Sequence, residues 1–100
     1  MSRQKLTDDQ IQEALADLPG WSVSNRKLHR EYTFPDFTHA IGFMAAAATA
    51  IEAANHHPEW FNVYGKVTVD LTTHDSGGIT ANDTSLAAKL ERLAAKLLSE

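Results

Sequence analysis

The stretch that decides the fold is WFNVYGKVTVDLTTH, residues 60–74. In its second half, Val67, Val69 and Leu71 alternate with polar residues, a period typical of a strand with one buried and one solvated face. Tyr64 and Gly65 separate that half from an apolar first half and suit a two-residue turn. The stretch therefore predicts an antiparallel hairpin that is covered on one side only.

A second hairpin is predicted upstream, at about residues 21–33. Leu28, Arg30 and Tyr32 again alternate with their neighbours, which indicates a strand. Ser24 and Asn25 are turn-forming residues and divide the segment into two short strands. The two hairpins together supply four strands.

The first predicted helix covers residues 7–18. Thr7 and Gln10 form a capping-box pair at its start, and Pro19-Gly20 ends it. Its apolar stripe consists of Ile11, Ala14, Leu15 and Leu18.

A second, longer helix is predicted to begin at Pro35-Asp36 and to end near His56. Pro58 sets this end, because a proline disfavours the helical conformation for the residue before it, here His57. Small residues on several faces permit close approach of another helix, so this segment is also a candidate subunit contact. The residues at helical spacing are Phe37, Ala40, Ile41, Met44, Ala48 and Ile51.

A third helix is predicted near the end of the chain, after the loop HDSGGITAND. Asp83 or Thr84 is expected to cap it, since both residue types are favoured at helix N-termini. Its apolar stripe consists of Leu86, Leu90, Leu93, Ala94 and Leu97.

These elements give the order α-β-β-α-β-β-α. Hairpin-joined strands combined with helices of this kind indicate the α+β class, with a four-stranded antiparallel sheet and three helices on one face. The chain has 100 residues, so we expect residues 1–100 to form a single domain.

Composition and charge exclude several classes of function. The chain has no cysteine, which excludes disulfides, thiolate nucleophiles and cysteine-ligated zinc. A formal charge of −4 argues against direct nucleic-acid binding and against an anionic membrane surface. We found no apolar stretch typical of a signal peptide or a membrane span, so a cytoplasmic protein is expected.

Chemistry must then come from the five histidines, the carboxylates and the hydroxyls. His56, His57 and His74 are enough for a zinc site, but no paired-ligand spacing such as HExxH is present. A change of backbone direction at His57 would let neighbouring imidazoles face one cleft and exchange protons near neutral pH. The residues alone leave an acid–base site and ordinary surface histidines as alternatives, and for His29 and His39 we expect the latter.

Seven residues of the chain follow a recognisable pattern: Glu, three residues, His-His-Pro, five residues, Tyr, nine residues, His and a later Asp. This pattern resembles that of the pterin-4a-carbinolamine dehydratase family. The PGW segment at residues 19–21 and the stretch at 34–44 are also similar to it. The matching residues are Glu52, His56, His57, Pro58, Tyr64, His74 and Asp83.

The resemblance implies a four-stranded antiparallel sheet with three helices on one side, in agreement with the element order. It also implies an activity, the dehydration of 4a-hydroxytetrahydropterin to quinonoid dihydropterin, which supports tetrahydropterin recycling. No electrons are transferred and no carbonyl is polarised in this reaction, so no cofactor and no metal are expected.

By the same resemblance, His56 and His74 are the proton donors and acceptors, and His57 binds and orients the pterin. Glu52 and Asp83 are expected to orient imidazoles or to hold the hydrogen-bond network of the site, while Trp60 either lines the cleft or packs in the core. The residues expected around the substrate are Glu52, Asn55, Trp60, Thr72, Thr73, Asp75 and Asp83.

Two residues depart from what the family often has, which is Asp before the histidine pair and Glu after the last histidine. Asn55 removes a negative charge, and Asp75 is one methylene shorter than Glu. We expect both changes to affect substrate preference and rate, without removing a proton carrier.

The expected partners are a small-molecule pterin substrate and further copies of the chain, since the family forms homodimers and homotetramers. Some animal members also serve as a dimerisation partner for a transcription factor. A non-catalytic oligomeric interaction module is therefore the main alternative to a lyase, and a metal-binding protein is a third.

Overall fold

The strands pair in the spatial order β1-β2-β4-β3, and every pair is antiparallel. The computed structural model describes residues 4–98, and the predicted α+β class and the order α-β-β-α-β-β-α are confirmed. The elements are α1 (Asp8–Leu15), β1 (Ser22–Ser24), β2 (Lys27–Thr33), α2 (Phe37–Ala54), β3 (Glu59–Val63), β4 (Lys66–Leu71), a 3-10 turn (His74–Ser76) and α3 (Ala81–Leu98).

Both predicted hairpins are present. Val63 pairs with Lys66, so Tyr64 and Gly65 form the turn of the second hairpin as expected. In the first hairpin Ser24 pairs with Lys27, which places the turn one residue later than predicted. Asn25 and Arg26 occupy it with φ angles of 52° and 65°, because a two-residue turn of this hand needs positive φ at both positions.

The core lies between the sheet and the helices. Leu28 and Tyr32 of β2 and Val67, Val69 and Leu71 of β4 are at most 1% exposed. They belong to one face of the sheet, since residues two apart on a strand point the same way. The helices cover this face with Ala40, Phe43, Ala47, Ile51, Leu86, Ala87, Leu90 and Ala94.

The buried face of α2 differs from the predicted stripe. Ala40 and Ile51 are buried as expected, but Phe43 and Ala47 complete the inner face. Phe37 and Ile41 are exposed instead, because the apolar residues of α2 spread over more than one side of the helix and the sheet covers one side only. The structure therefore leaves an exposed apolar face on α2.

α2 is also the one helix, among the residues described, that is long and apolar enough to cross a membrane, with a hydropathy of 1.2 over 18 residues. Core helices of soluble proteins have the same composition. One side of α2 packs against α3 and the sheet. Its composition alone is therefore weak evidence for a membrane span.

The start of α3 lies at the site. The helix begins at Ala81, and neither Asp83 nor Thr84 caps it, contrary to the prediction. Thr80 precedes the helix, and its Oγ1 accepts a hydrogen bond from the backbone N–H of Asn82 at 3.2 Å. Asp83 is the third residue of the helix, and its Oδ2 accepts a hydrogen bond from the backbone N–H of Thr80 at 2.8 Å, so it supports the cap from inside the helix while its other oxygen faces away from that contact.

Glu91 fastens α3 to the sheet. Its Oε1 accepts hydrogen bonds from Tyr32 Oη at 2.7 Å and from Trp21 Nε1 at 2.9 Å. Burial, with a further contribution from Glu91, raises the pKa of Tyr32 far above its usual value, so the phenol stays a hydrogen-bond donor. This contact sets the position of α3 relative to β2 and hence where its first turn lies.

Candidate active site

Asn55 directs the two adjacent histidines out of α2. It has φ 50° and ψ 43°, a left-handed conformation that asparagine tolerates better than most residues. Its N–H group bonds to the carbonyl oxygens of Ile51 and Glu52, which closes the helix at Ala54. The helix thus ends at Ala54, close to His56 as predicted, and the cause is Asn55 in addition to the proline downstream.

The three histidines of interest line one open cleft of about 470 Å³. His56 and His57 come from the segment after α2, and His74 comes from the 3-10 turn after β4. The structure therefore brings together rings that lie far apart in the sequence. The cleft is lined by Ala54, Asn55, His56, His57, Thr72, Thr73, His74, Asp75 and Asn82.

His56 is held by a buried carboxylate. Its Nε2 lies 2.5 Å from Asp83 Oδ1, and the side chains are 15% and 0% exposed. Because an ionised carboxylate only accepts hydrogen bonds, Nε2 carries the proton in this contact. Nδ1 of the neutral ring is then the nitrogen that accepts a proton from another group.

Asp83 is in turn held by two threonines. Its Oδ2 accepts hydrogen bonds from Thr73 Oγ1 and from the backbone N–H of Thr80, both at 2.8 Å. The two hydroxyls are 2.8 Å apart. Since the hydroxyl of Thr73 donates to Asp83, the hydroxyl of Thr80 donates to Thr73. The network joins the end of β4, the start of α3 and His56.

His74 has a carboxylate partner of a different kind. Its Nε2 lies 3.2 Å from Glu59 Oε2, and its side chain is 76% exposed. Lys27 Nζ contacts the other oxygen of Glu59 at 2.6 Å. This hydrogen bond from Lys27 lowers the pKa of Glu59 below its usual value, with a smaller contribution from His74, so Glu59 remains ionised as the acceptor for the ring.

His57 is bound most loosely. Its Nε2 lies 3.8 Å from Glu52 Oε1, and both side chains are mostly exposed. An ion pair of this length between exposed groups fixes geometry weakly. His57 therefore has the freedom to adjust to a bound molecule, whereas His56 does not.

The other two histidines lie outside the cleft, as expected for surface residues. Each still has a partner: His29 Nδ1 is 2.8 Å from Asp70, and His39 Nδ1 is 2.6 Å from Asp36. Asp36 also caps α2 through the backbone N–H of His39. Within residues 4–98, no group of three or more His, Cys, Asp or Glu residues is arranged to hold a metal ion.

Comparison with known proteins agrees with the geometry. Residues 4–93 match the model of the family described as pterin 4 alpha carbinolamine dehydratase. The chain belongs to this family. A relative from Solibacter usitatus is 64% identical over 91 residues, covering 91% of this chain and 96% of its own. One from Rhodopseudomonas palustris is 48% identical over 95 residues, covering 93% and 94%. Both carry the provisional name pterin-4-alpha-carbinolamine dehydratase.

Two solved structures share the dehydratase fold. A transcriptional coactivator/pterin dehydratase from Brucella melitensis has a TM-score of 0.88 and 42% identity, covering 91% of this chain and 99% of its own. A pterin dehydratase-like RuBisCO assembly factor of the α-carboxysome has a TM-score of 0.61 and 20% identity, covering 74% and 86%. The second similarity concerns the fold alone.

Some of the residues that the family pattern suggested line the cleft, and others do not. Asn55, Thr72, Thr73 and Asp75 line the cleft together with the three histidines. Glu52 does not line it and is exposed beside His57.

Two further suggested residues do not line the cleft. Asp83 is fully buried and contacts the ring of His56. Trp60 pairs with Val69 and packs against the core.

Two residues near the site were not predicted. Asn82 lines the cleft from the first turn of α3, and it was missed because that helix was expected to start later. Glu59 contacts His74. Its place directly after His-His-Pro was the only signal for it in the sequence, and the contact depends on β3 lying beside β4.

We expect Asp83→Asn to lower the free energy of unfolding by about 2–4 kcal/mol, because an amide group would present a donor to groups that already donate. Urea denaturation followed by circular dichroism measures this. The matched control is Asp17→Asn at an exposed position, with an expected change within about 0.5 kcal/mol. Equal stability of both variants would contradict the role given to the network.

Proposed function

We propose that the protein is a hydro-lyase that converts 4a-hydroxytetrahydropterin to quinonoid dihydropterin and water, and so supports tetrahydropterin recycling. One observation carries this proposal: the rings of His56, His57 and His74 line a single cleft, and two of them rest on carboxylates. The family assignment supplies the reaction class.

The reaction consists of two proton transfers and the loss of water. The C4a–O bond breaks as the departing hydroxyl takes a proton from an acid, which releases water. A base removes the proton of N5, and the electron pair of the N5–H bond forms the C4a=N5 double bond. The departing hydroxyl and the proton that is lost are attached to the neighbouring atoms C4a and N5. Two proton carriers in one small cleft are therefore sufficient.

His56 and His74 are these two carriers in our proposal. Each has its Nε2 beside a carboxylate, which leaves Nδ1 to exchange a proton with the substrate. One ring protonates the departing oxygen while the other accepts the proton from N5. The exposed position of His74 lets solvent return the protons between turnovers. Positioned proton transfer of this kind contributes about 10²–10⁴-fold.

The rest of the cleft suits a flat polar heterocycle. Its volume of about 470 Å³ falls in the usual range of small-molecule sites, roughly 300–1,000 Å³. Asn55, Thr72, Asp75 and Asn82 surround it with amide, hydroxyl and carboxylate groups, which match the donor and acceptor edges of a pterin. His57, the least constrained imidazole, binds and orients that ring.

A stopped-flow assay of carbinolamine breakdown tests the proposal. We expect the protein to accelerate dehydration, and His56→Ala and His74→Ala each to lower kcat by about 10²-fold because a proton carrier is lost. His39→Ala, outside the cleft, is the matched control and keeps the parent rate. If the parent protein leaves the spontaneous rate unchanged, the lyase proposal is wrong and the interaction-module alternative takes its place.

Glu59 is expected to act through His74. Glu59→Gln keeps the shape and removes the charge, so we expect kcat to fall about two- to fivefold while KM stays unchanged. Glu31→Gln is the control, since Glu31 forms an exposed ion pair with Lys66 in the neighbouring part of the sheet. Equal rates for both variants would show that the contact with His74 has no role.

We also propose that the chain forms a homodimer or homotetramer. Phe37 and Ile41 leave α2 with an exposed apolar face, and Phe61 and Val63 lie exposed on β3 at the sheet edge. Unpaired strand edges and apolar patches of this kind are the surfaces that oligomers cover. Sedimentation equilibrium is expected to give a dimer or tetramer, and Phe37→Lys or Phe61→Lys a smaller assembly. A monomeric parent protein at high micromolar concentration would contradict this.

A further inference from the structure

A second cavity adjoins the histidine cleft. It has a volume of about 360 Å³, and Ala54, His56 and Asn82 line both spaces. Beyond these shared residues it is polar on one side, where Ser85 and Lys89 of α3 face it. His56 therefore stands at the boundary between the proposed reaction site and a further space that the reaction itself does not require.

The second cavity leads into a groove between α2 and α3, about 320 Å³ in volume. Lys89 lines both, which makes them neighbours. Arg92 and Lys96 line the groove as well, opposite Thr49 and Ala50 of α2. Three cations thus follow one another along α3, starting at the second cavity.

The charge of this path is opposite to that of the whole chain, which is −4. No acidic residue lines the second cavity or the groove among the residues described. Within residues 4–98, Lys89 and Arg92 form no ion pair. Lys89 and Arg92 therefore attract an anion, because neighbouring potentials of one sign add.

We propose that the second cavity and the groove bind a negatively charged substituent, a phosphate or a carboxylate, carried on C6 of the pterin substrate. This inference rests on the proposed function, since it takes the pterin ring to lie in the histidine cleft. It narrows the substrate class from reduced pterins in general to those with an anionic side chain.

The chemistry of the ring gives the direction of the substituent. C6 is bonded to N5, and N5 is the atom that loses its proton to an imidazole. A substituent on C6 therefore leaves the ring close to the reacting edge, where His56 stands between the two spaces.

The length of the path fits such a substituent. Asn82 and Lys89 are seven residues apart on α3, which corresponds to about 10 Å along the helix axis. A three-carbon side chain ending in a phosphate covers most of this distance from the C6 position. A longer side chain that ends in a carboxylate reaches on to Arg92.

Fluorescence titration of the full-length protein with three pterins tests the inference. Biopterin has a neutral side chain, neopterin phosphate adds a phosphate, and folate adds carboxylates. We expect one or both anionic ligands to bind about tenfold more tightly than biopterin at low salt, a difference that narrows at 0.5 M salt through screening. The ligand with the larger gain identifies whether phosphate or carboxylate is the preferred group.

Lys89→Met is expected to remove most of this gain while leaving the affinity for biopterin within about twofold, because only the side-chain contact is lost. Lys66→Met, on β4 and outside both cavities, is the matched control and should retain the full gain. Equal affinity for all three pterins, or a gain that survives Lys89→Met, overturns the inference and leaves the lyase proposal standing. Failure of all three ligands to bind also overturns the inference, while the stopped-flow assay decides the lyase proposal separately.

Discussion

The arrangement of the site depends on one buried carboxylate. Asp83 accepts hydrogen bonds from the ring of His56, the hydroxyl of Thr73 and the backbone of Thr80. A carboxylate that is 0% exposed is costly to bury unless such donors surround it. The three donors come from three separate segments, so the need to satisfy one charge holds those segments together. The position of His56 is a consequence of that requirement.

The fold delivers the remaining imidazoles by different means. Asn55, in a left-handed conformation, turns the chain so that His57 leaves α2 on the side of the cleft. His74 arrives from the turn after β4, and Glu59 reaches it because β3 lies beside β4. The imidazoles therefore differ in how firmly they are held: the ring of His56 is buried and fixed, whereas the ring of His57 is exposed and loosely held. The proposed reaction would use both kinds of ring, a fixed one to transfer a proton and a loosely held one to adjust to the ligand.

Strand alternation and turn residues predicted the hairpins and the fold class well, because these patterns are local and follow from which face is buried. The predicted helix boundaries were less accurate where a single side chain decides them. Asn55 ends α2, and Thr80 rather than Asp83 caps α3. The buried stripe of α2 was also misassigned, since Phe43 and Phe37 are equally apolar and only the sheet position distinguishes them. Glu59 and Asn82 required tertiary contacts that no local pattern contains.

Charges of opposite sign lie on opposite sides of His56. Carboxylates lie beside the imidazoles, where they fix the ring nitrogen that carries the proton. The cations of α3 lie on the other side of His56, along the second cavity and the groove. Under the two proposals above, each set of charges has one role: the carboxylates organise proton transfer, and Lys89 and Arg92 attract an anionic side chain. In a chain of net charge −4, a local positive potential beside the cleft would be lost if acidic residues lined the groove.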